Sequence, residues 1–307
     1  MEIKICGVVG AGTMGSGIAQ VAAQVGGLSV IMNDISDEFV SKGYDTIAKN
    51  LDRLVSKGKL TAEQSSEILG RIRKSTNIAD MEEADLIIEA ASENPDLKLD
   101  IFRKLDKVCR PEVILATNTS SIPITRIAAE TKRPELVIGM HFFNPAPVMK
   151  LVEVIRGMAT SEKALGTTCG LARQFGKSPV GVNDSPGFIV NRMLIPMINE
   201  AVYALYEGIG TIDDIDKAMK LGVNHPMGPL ELADLIGLDV CLSVMEVLYS
   251  AFSDSKYRAC PLLKKYVNAG YLGKKVERGF YVYEEGRKKA PGKKMCFDWL
   301  SWPDAEE

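Results

Sequence analysis

The sequence has few histidines, few tryptophans and no closely spaced cysteines. Among 307 residues there are two histidines and two tryptophans, and the six cysteines form no CxxC pair. Zinc sites are built from clustered cysteine and histidine side chains, so we expect no metal site. Dispersed cysteines are typical of reduced thiols rather than of a disulfide framework.

The sequence also lacks an excess of basic residues and long apolar runs. Its 37 basic and 40 acidic side chains give a formal net charge of −3, whereas nucleic-acid binders are usually basic. No apolar run approaches the roughly 18 residues that a membrane span needs. The start, MEIKICGVVGAG, lacks the basic and then apolar pattern of a signal peptide. We therefore expect a cytoplasmic protein that binds neither nucleic acid nor membrane.

Apolar runs that alternate with helical patterns fill the first part of the chain. The runs predict strands over residues 3–9, 28–33, 85–91, 112–117, 136–143 and 148–155. Apolar residues at helical spacing, or capping residues, predict helices after the loop at 10–15, over 37–57, from Thr61, and over 95–109 and 161–176. Such alternation indicates an α/β domain of Rossmann type, with a mostly parallel sheet covered on both faces.

A change of pattern near residue 184 predicts a second domain. DSPG at 184–187 interrupts the chain. Beyond it the patterns predict helices only, over 187–208, 212–221, 229–252 and 260–269. After Tyr283 the composition becomes polar, without enough apolar residues for a core. We expect a Rossmann-type domain, an all-helical C-terminal domain and a polar tail, over residues 1–184, 185–283 and 284–307.

The glycine-rich loop after the first strand indicates a dinucleotide site. It consists of Gly10, Ala11, Gly12, Thr13, Met14 and Gly15. In this context Gly10 allows the tight turn, Gly12 lets backbone N–H groups approach a pyrophosphate, and Gly15 lets the helix pack closely. Asp34 follows the second strand, where a carboxylate would accept the ribose hydroxyls and repel a 2′-phosphate. The pattern favours NAD over NADP; the alternative is an ordinary strand–turn–helix with a capping aspartate.

Three polar residues stand in apolar surroundings. His141 lies near the carboxyl end of a predicted strand, the ligand end of an α/β sheet, although a core histidine bonded to a carbonyl would fit equally. Glu153 lies inside KLVEVI and needs a partner. Asn191 shares the apolar stripe of a helix, so it either satisfies a neighbouring backbone or faces a ligand in a cleft between the domains.

The hairpin between the two strands does not bring His141 to Glu153 automatically. A four-residue loop over 144–147 would place His141 opposite Lys150. Glu153 would then lie roughly 10 Å further along the strand. A contact between the two side chains therefore requires a bulge or a wider connection.

Several motifs, in their order and spacing, resemble the 3-hydroxyacyl-CoA dehydrogenase family. They are GAGTMGSGIAQ at the glycine loop, NTSS at 118–121, GMHFFNPAPVMKLVEVI at 139–155, SPGFIVNR at 185–192 and HPMGPLEL at 225–232. The likeness is greatest to stand-alone bacterial members and covers about residues 1–283. The chain departs from them in Glu277-Arg278 before GFY and in the 24 residues that follow Tyr283.

The resemblance implies roles for the matching residues. His141 would be the general base, and Glu153 would contact it, fix its tautomer and stabilise its protonated form. Ser120 and Asn191 would hydrogen-bond the oxygens of the substrate. Other matching positions would contact the nicotinamide half of the cofactor or close over it: Glu93, Lys98, Asn144 and Lys275. Asn50 and Lys57 match contacts to the adenine end of CoA. Lys49, Arg53 and Lys57 also form one basic stripe by helical spacing, which without a ligand would be a solvated face.

The resemblance further implies the reaction. The expected activity is NAD-dependent interconversion of (S)-3-hydroxyacyl-CoA and 3-oxoacyl-CoA, with (S)-3-hydroxybutyryl-CoA and acetoacetyl-CoA preferred. The expected assembly is a homodimer that pairs through the helical domain. Two alternatives stay open: a dehydrogenase of a free hydroxy acid, which should carry a catalytic lysine, and a catalytically silent NAD-binding structural protein, which should have lost part of the polar set.

Overall fold

The computed structural model describes residues 2–285 and 287–289. The backbone divides into two compact units, with the division between Phe188 and Ile189. The polar tail predicted over 284–307 lies outside the described residues at positions 286 and 290–307. Within the described part, no single helix is both long and apolar enough to cross a bilayer. Among the described helices, one bent pair, Pro229–Ile236 with Leu238–Phe252, passes by length and composition.

The first unit is built on one twisted sheet. In the described residues its eight strands, numbered along the chain, lie in the order β3-β2-β1-β4-β5-β6-β7-β8. They are β1 (Ile5–Val9), β2 (Ser29–Asn33), β3 (Ile72–Ser75), β4 (Leu86–Glu89), β5 (Ile114–Thr117), β6 (Val137–Phe142), β7 (Leu151–Arg156) and β8 (Ser178–Asn183). Neighbouring strands are parallel except β6 and β7. The mostly parallel sheet that the sequence predicts is confirmed.

Six α-helices accompany this sheet in the described residues. They are α1 (Thr13–Gln24), α2 (Asp37–Ser56), α3 (Ala62–Gly70), α4 (Pro95–Val108), α5 (Ile124–Ala128) and α6 (Glu162–Gln174). The predicted capping box is present, because the Thr61 and Gln64 side chains each bond the other's backbone N–H at the start of α3. Apolar residues of α1, α2 and the sheet form a continuous core.

The strand order places one position of the sheet at a topological switch point. The chain runs outward through β1, β2 and β3 and then returns to β4 on the other side of β1. Open α/β sheets bind ligands outside the carboxyl ends of the strands at such a point. Gly10 follows β1 there, and Glu89 and Thr117 are the last residues of β4 and β5. The sheet thus gathers the glycine loop and these two polar side chains at one edge.

The register of the antiparallel pair β6–β7 shows that the four-residue loop predicted over 144–147 is wrong. Its register pairs His141 directly with Glu153, not with Lys150. β7 begins at Leu151 rather than at the predicted residue 148, so the connection covers residues 143–150. The wider connection moves Lys150 out of the ladder and brings the acid opposite the histidine.

The second unit is mainly helical, with two departures from the prediction. Its helices are α7 (Val190–Tyr206), α8 (Ile212–Gly222), α9 (Pro229–Ile236), α10 (Leu238–Phe252) and α11 (Pro261–Asn268). The single helix predicted over 229–252 is wrong because Gly237 adopts a φ of +106°, which a helix cannot include. The expectation of helices only is also wrong at the end, where β9 (Val282–Glu284) pairs antiparallel with β10 (Arg287–Lys289).

Two buried carboxyl groups hold residues 280–283 against these helices. Asp216, on α8, accepts hydrogen bonds from the Leu230 and Glu231 N–H groups at the start of α9 and from the Tyr281 hydroxyl. Asp234, on α9, accepts from the N–H groups of residues 280 and 281 and from the Tyr283 hydroxyl. Burial, assisted by the nearby Asp216, raises the pKa of the Asp234 carboxyl to about 6.

Candidate active site

The glycine loop has open space at one of its three glycines. Gly10 has a φ of +103°, and a Cβ there would lie 2.6 Å from the Ala90 carbonyl oxygen. A Cβ on Gly15 would lie 1.7 Å from the Gly10 oxygen. A Cβ on Gly12 would meet nothing within 4 Å, and Gly12 caps α1 without a side-chain hydrogen bond. The first and third glycines therefore serve the fold, whereas the space at Gly12 suits a pyrophosphate at the N-terminus of α1.

Asp34 lies against this loop. One of its carboxylate oxygens accepts a hydrogen bond from the Ala11 N–H at 2.7 Å, and the other accepts from the Ile35 N–H at 2.7 Å. The side chain is half-buried at the end of β2. A carboxylate held beside the glycine loop, together with the open space at Gly12, fits the ribose and pyrophosphate of NAD.

His141 and Glu153 form a buried pair. The Nδ1 atom of His141 lies 2.8 Å from an Oε atom of Glu153, and the two residues are 6% and 1% exposed. Because a carboxylate only accepts hydrogen bonds, Nδ1 carries the proton and Nε2 keeps a lone pair. The arrangement is an oriented imidazole that can accept a proton at Nε2 and be stabilised once it is charged.

Two aromatic rings that the sequence did not single out enclose the imidazole. The ring of Phe143 lies 4.6 Å from that of His141, and the ring of Phe188 lies 5.7 Å away. Phe188 is buried and has a φ of +51°, a strained value for a residue with a side chain. Both phenylalanines stand within motifs that carry the family resemblance, at 139–155 and 185–192, but neither side chain was assigned a role there.

Ser120 lies in a turn that Glu93 holds. One Glu93 oxygen accepts hydrogen bonds from the Ser120 N–H at 2.8 Å, from the Thr119 hydroxyl at 2.6 Å, and from the Ser121 N–H and hydroxyl. Burial works to raise the pKa of Glu93, but the Lys98 ammonium and the bonds from the turn outweigh it and hold that pKa below its ordinary value. The structure thus brings two predicted residues, Glu93 and Ser120, together.

The same turn is tied to the strand that carries His141. The Asn118 side-chain oxygen accepts a hydrogen bond from the Phe142 N–H at 2.8 Å. The turn at 118–121 and the end of β6 therefore form one hydrogen-bonded edge. A substrate oxygen placed beside His141 would lie at this edge.

Lys98 is placed behind this edge rather than at its surface. Its side chain is 1% exposed, and its ammonium lies 2.6 Å from Glu89 and 3.5 Å from Glu93. Glu89 is a residue that sequence reasoning missed. It stands in DLIIEAA, an acid within an apolar strand, which is the same signal that identified Glu153.

The other predicted residues of the first unit lie on α2, at its C-cap and in the connection 143–150. Asn144 is exposed in the connection 143–150. Asn50 is half-buried on α2 and donates to the Gln20 side chain at 3.2 Å. Lys57 is exposed and follows the last residue of α2, so the basic stripe with Lys49 and Arg53 ends at the C-cap of the helix.

Two predicted residues belong to the second unit. Asn191 lies in the first turn of α7 and is half-buried. Lys275 is exposed and lies 2.6 Å from the Asp239 carboxylate, at the start of α10. Sequence reasoning missed Asn199 on α7, which is buried and whose amide bonds the backbone at residues 258 and 260.

Comparison with known proteins agrees with this geometry. Residues 5–185 match the model of the 3-hydroxyacyl-CoA dehydrogenase NAD binding domain, and residues 187–283 match that of the 3-hydroxyacyl-CoA dehydrogenase C-terminal domain. A probable 3-hydroxybutyryl-CoA dehydrogenase of Bacillus subtilis is 57% identical, covering 93% of this chain and 99% of the relative. A 3-hydroxybutyryl-CoA dehydrogenase of Bradyrhizobium diazoefficiens is 53% identical, covering 94% and 98%.

A solved structure is similar over the same length. The crystal structure of an (S)-3-hydroxybutyryl-CoA dehydrogenase from Ralstonia eutropha has a TM-score of 0.90 and 54% sequence identity, covering 92% of this chain and all of that chain. The two family matches, over residues 5–185 and 187–283, include the glycine loop, the strands of His141 and Glu153 and the five helices α7–α11. The chain belongs to the 3-hydroxyacyl-CoA dehydrogenase family.

Proposed function

We propose that the protein is an NAD-dependent dehydrogenase that interconverts (S)-3-hydroxybutyryl-CoA and acetoacetyl-CoA. The observation that carries the proposal is the buried contact of 2.8 Å between His141 Nδ1 and Glu153, in the unit that holds the glycine loop. The names of the relatives, two of them 3-hydroxybutyryl-CoA dehydrogenases at more than half identity, support the substrate.

The proton of the reaction is handled by His141. In the oxidative direction Nε2 accepts the proton of the C3 hydroxyl, and in the reductive direction the protonated ring returns it. Glu153 keeps the proton of Nδ1 in place and stabilises the imidazolium, as an acid does in other acid–histidine pairs. General acid–base help of this kind is typically worth ~10²–10⁴-fold in rate.

The cofactor binds at the glycine loop. Gly12 and the N-terminus of α1 receive the pyrophosphate, and Asp34 accepts the ribose hydroxyls. Glu93, Lys98, Asn144 and Lys275 are assigned to the nicotinamide half, Lys98 by way of Glu93 because its own side chain is buried. Bound at this loop, NAD would supply the acceptor for the hydride of C3, and NADH would supply the hydride in the reverse direction.

The substrate is held at two ends. Ser120 and Asn191 hydrogen-bond its oxygens and fix the orientation of the reacting carbon. Asn50 and Lys57 bind the adenine end of CoA, where an exposed lysine suits a phosphate.

The proposed organisation follows from these assignments. Residues 1–184 are the NAD-binding domain and residues 185–283 the substrate and dimerisation domain, with a polar tail from residue 284. The protein is a cytoplasmic homodimer that pairs through the helical domain. The first family match ends at residue 185 and the second begins at residue 187, which supports the first division.

One assay separates this function from its alternatives. NADH oxidation is followed by its absorbance, with acetoacetyl-CoA and separately with free acetoacetate as substrate. Turnover with the CoA ester alone supports the proposal. Equal turnover with free acetoacetate indicates a free hydroxy acid dehydrogenase. Binding of NADH without turnover of either substrate indicates the silent NAD-binding protein.

A further inference from the structure

Glu89 is a fully buried acid at the switch point of the sheet. It is 0% exposed and ends β4, where it pairs in register with Val9 on one side and Thr117 on the other. One carboxylate oxygen accepts from the Ala91 N–H at 2.7 Å, and the other accepts from the Thr117 hydroxyl at 2.6 Å. An ionised carboxyl in such a place is costly unless it is paired.

Lys98 supplies the charge that balances Glu89. Its ammonium donates to the first Glu89 oxygen at 2.6 Å and to the Ala91 carbonyl at 3.1 Å, and it lies 3.5 Å from Glu93. Two carboxylates therefore share one buried ammonium. The bond to Glu89 fixes where that ammonium lies, and so sets the distance between the Lys98 charge and Glu93.

Glu93 connects Lys98 to the turn that carries Ser120. It accepts the Ser120 N–H at 2.8 Å and the Thr119 hydroxyl at 2.6 Å. Glu89 reaches the same turn by its backbone as well, because its carbonyl accepts the Asn118 N–H at 2.7 Å. Thr117, the hydroxyl partner of Glu89, accepts the Thr119 N–H at 3.2 Å. Each of these series of hydrogen bonds and ion pairs that begins at Glu89 ends on residues 118–120.

We propose that Glu89 is a positioning residue for the dehydrogenase reaction: through Lys98, Glu93 and Thr117 it holds the turn that presents Ser120 to the substrate oxygen. The inference rests on the proposed function, since it assigns work to Ser120 in that reaction. Glu89 is 0% exposed, so its side chain has no surface with which to contact a substrate or a cofactor. It acts by fixing the place of a hydrogen-bond donor, and small displacements of such groups are costly in rate.

A purely structural ion pair is the competing explanation, and the chain offers a matched example. Arg133 and Asp106 lie 2.9 Å apart in the same unit, with side chains 9% and 7% exposed. Asp106 lies on α4 and bonds the backbone N–H of Lys132, with no bond to the turn at 118–121 among the described residues. Asp106→Asn should lower the melting temperature without changing kcat.

The test compares Glu89→Gln with this control in the full-length protein. We expect Glu89→Gln to lower kcat with acetoacetyl-CoA and NADH roughly 10- to 100-fold, with little change in the KM of acetoacetyl-CoA. The double variant Glu89→Gln/Ser120→Ala should be no slower than Ser120→Ala alone, because a residue that acts through Ser120 has nothing left to position. Thr117→Val, which keeps the shape of the side chain, provides a milder second variant with the same expected non-additivity.

The outcomes are distinct. An unmutated protein that does not oxidise NADH with acetoacetyl-CoA rejects the proposed function, and this inference with it. An active unmutated protein whose Glu89→Gln variant keeps its kcat rejects the inference alone. Additive losses of Glu89→Gln and Ser120→Ala, or a kcat loss in Asp106→Asn of the same size, also reject it. If Glu89→Gln does not fold, the Thr117→Val cycle with Ser120→Ala gives the same decision.

Discussion

His141 and Glu153 lie directly opposite each other in the antiparallel pair of the large sheet, and their side chains meet at 2.8 Å. Residues opposed in this way have Cα atoms about 4.5–5.5 Å apart, a distance set by the ladder itself. Both side chains therefore project from the same face of the sheet, in the register that the connection over 143–150 allows. The sheet holds the acid and the imidazole as one unit.

Replacing the imidazole should remove the chemistry and leave the cofactor site intact. We expect His141→Gln to lower kcat by ~10²–10⁴-fold, because a proton acceptor is lost, while the Kd of NADH stays nearly unchanged. Steady-state kinetics and NADH fluorescence titration measure the two quantities. His225→Gln replaces the second of the two histidines, in the helical unit, and should leave both unchanged. Near-normal turnover of the His141 variant would remove this residue from the mechanism.

Glu153 should affect kcat through the tautomer of His141 that it stabilises. An amide at position 153 can donate to Nδ1, so Glu153→Gln permits the imidazole with its proton on Nε2, which cannot act as a base. We expect a loss of kcat of roughly 10²–10⁴-fold by analogy with other acid–histidine pairs. Glu162→Gln makes the same change at an exposed acid paired with Arg156 and should not alter kcat. A Glu153→Gln enzyme as fast as this control would contradict the tautomer argument.

Cofactor choice should depend on Asp34. Its carboxylate beside Ala11 would repel the 2′-phosphate of NADPH, so we expect kcat/KM to be much higher with NADH. Asp34→Ala should narrow this difference, mainly by raising the KM of NADH. Asp37→Ala removes an equal charge three residues later and serves as the control. Equal activity of the unmutated protein with both cofactors would place Asp34 away from the ribose.

Lys57 should contribute to the binding of CoA and not to the chemistry. We expect Lys57→Ala to raise the KM of acetoacetyl-CoA several-fold with little change in kcat, the pattern of uniform binding lost far from the reaction. The salt dependence of that KM should also decrease, because exposed charges are screened by ions. Lys163→Ala, an exposed lysine on α6, makes the same change in net charge.

The substrate analogue acetoacetyl-dephospho-CoA tests the same interaction from the other side. It lacks the 3′-phosphate that Lys57 would bind, so the unmutated enzyme should show a raised KM for it and the Lys57→Ala variant should not discriminate. Equal KM values of the unmutated enzyme for both substrates would mean that the basic stripe is a solvated surface.

The stability of the helical unit should depend on pH through Asp234. Its pKa is raised to about 6 in the folded protein, above the ordinary value of about 3.9, so the folded state binds a proton more tightly. This contribution to stability is fully present below the ordinary value and is lost as the pH rises through 6. Relative to Asp234→Asn, the unmutated protein should therefore lose unfolding free energy between pH 4.5 and 7, as measured by urea denaturation. A difference that does not change with pH would contradict the raised pKa.

Elements with a strong apolar period could be predicted from the sequence, and exposed or interrupted ones could not. β1 and α2 lie within a residue or two of their predicted ends. β3 and β8 lie at the two edges of the sheet, where polar residues are allowed and the apolar signal is weak. The break between α9 and α10 was missed because LADLIGLDV is apolar at helical spacing on both sides of Gly237, and a single glycine does not reveal its φ.

The residues of the site could be predicted from the sequence, but the hydrogen bonds that join them could not. His141 and Glu153 stand out in the sequence because a polar side chain in an apolar strand requires a hydrogen-bond partner. The register that pairs them depends on the length of the connection between β6 and β7. That length depends on the residue at which β7 begins, and the apolar periodicity does not define this residue. Glu89 carried the same signal as Glu153 and was overlooked, since its partner Lys98 stands on a helix whose buried face the pattern did not identify.

The pairing of His141 with Glu153 in the ladder has a consequence for the exposed part of the connection over 143–150. The side chains of Val148 and Met149 are exposed there, and loop positions of this kind tolerate substitution. Exchanges of these side chains that keep the length of the connection leave the register of β6 and β7, and hence the acid–base pair, in place. The chemistry of that surface can therefore vary without altering the proton-transfer step.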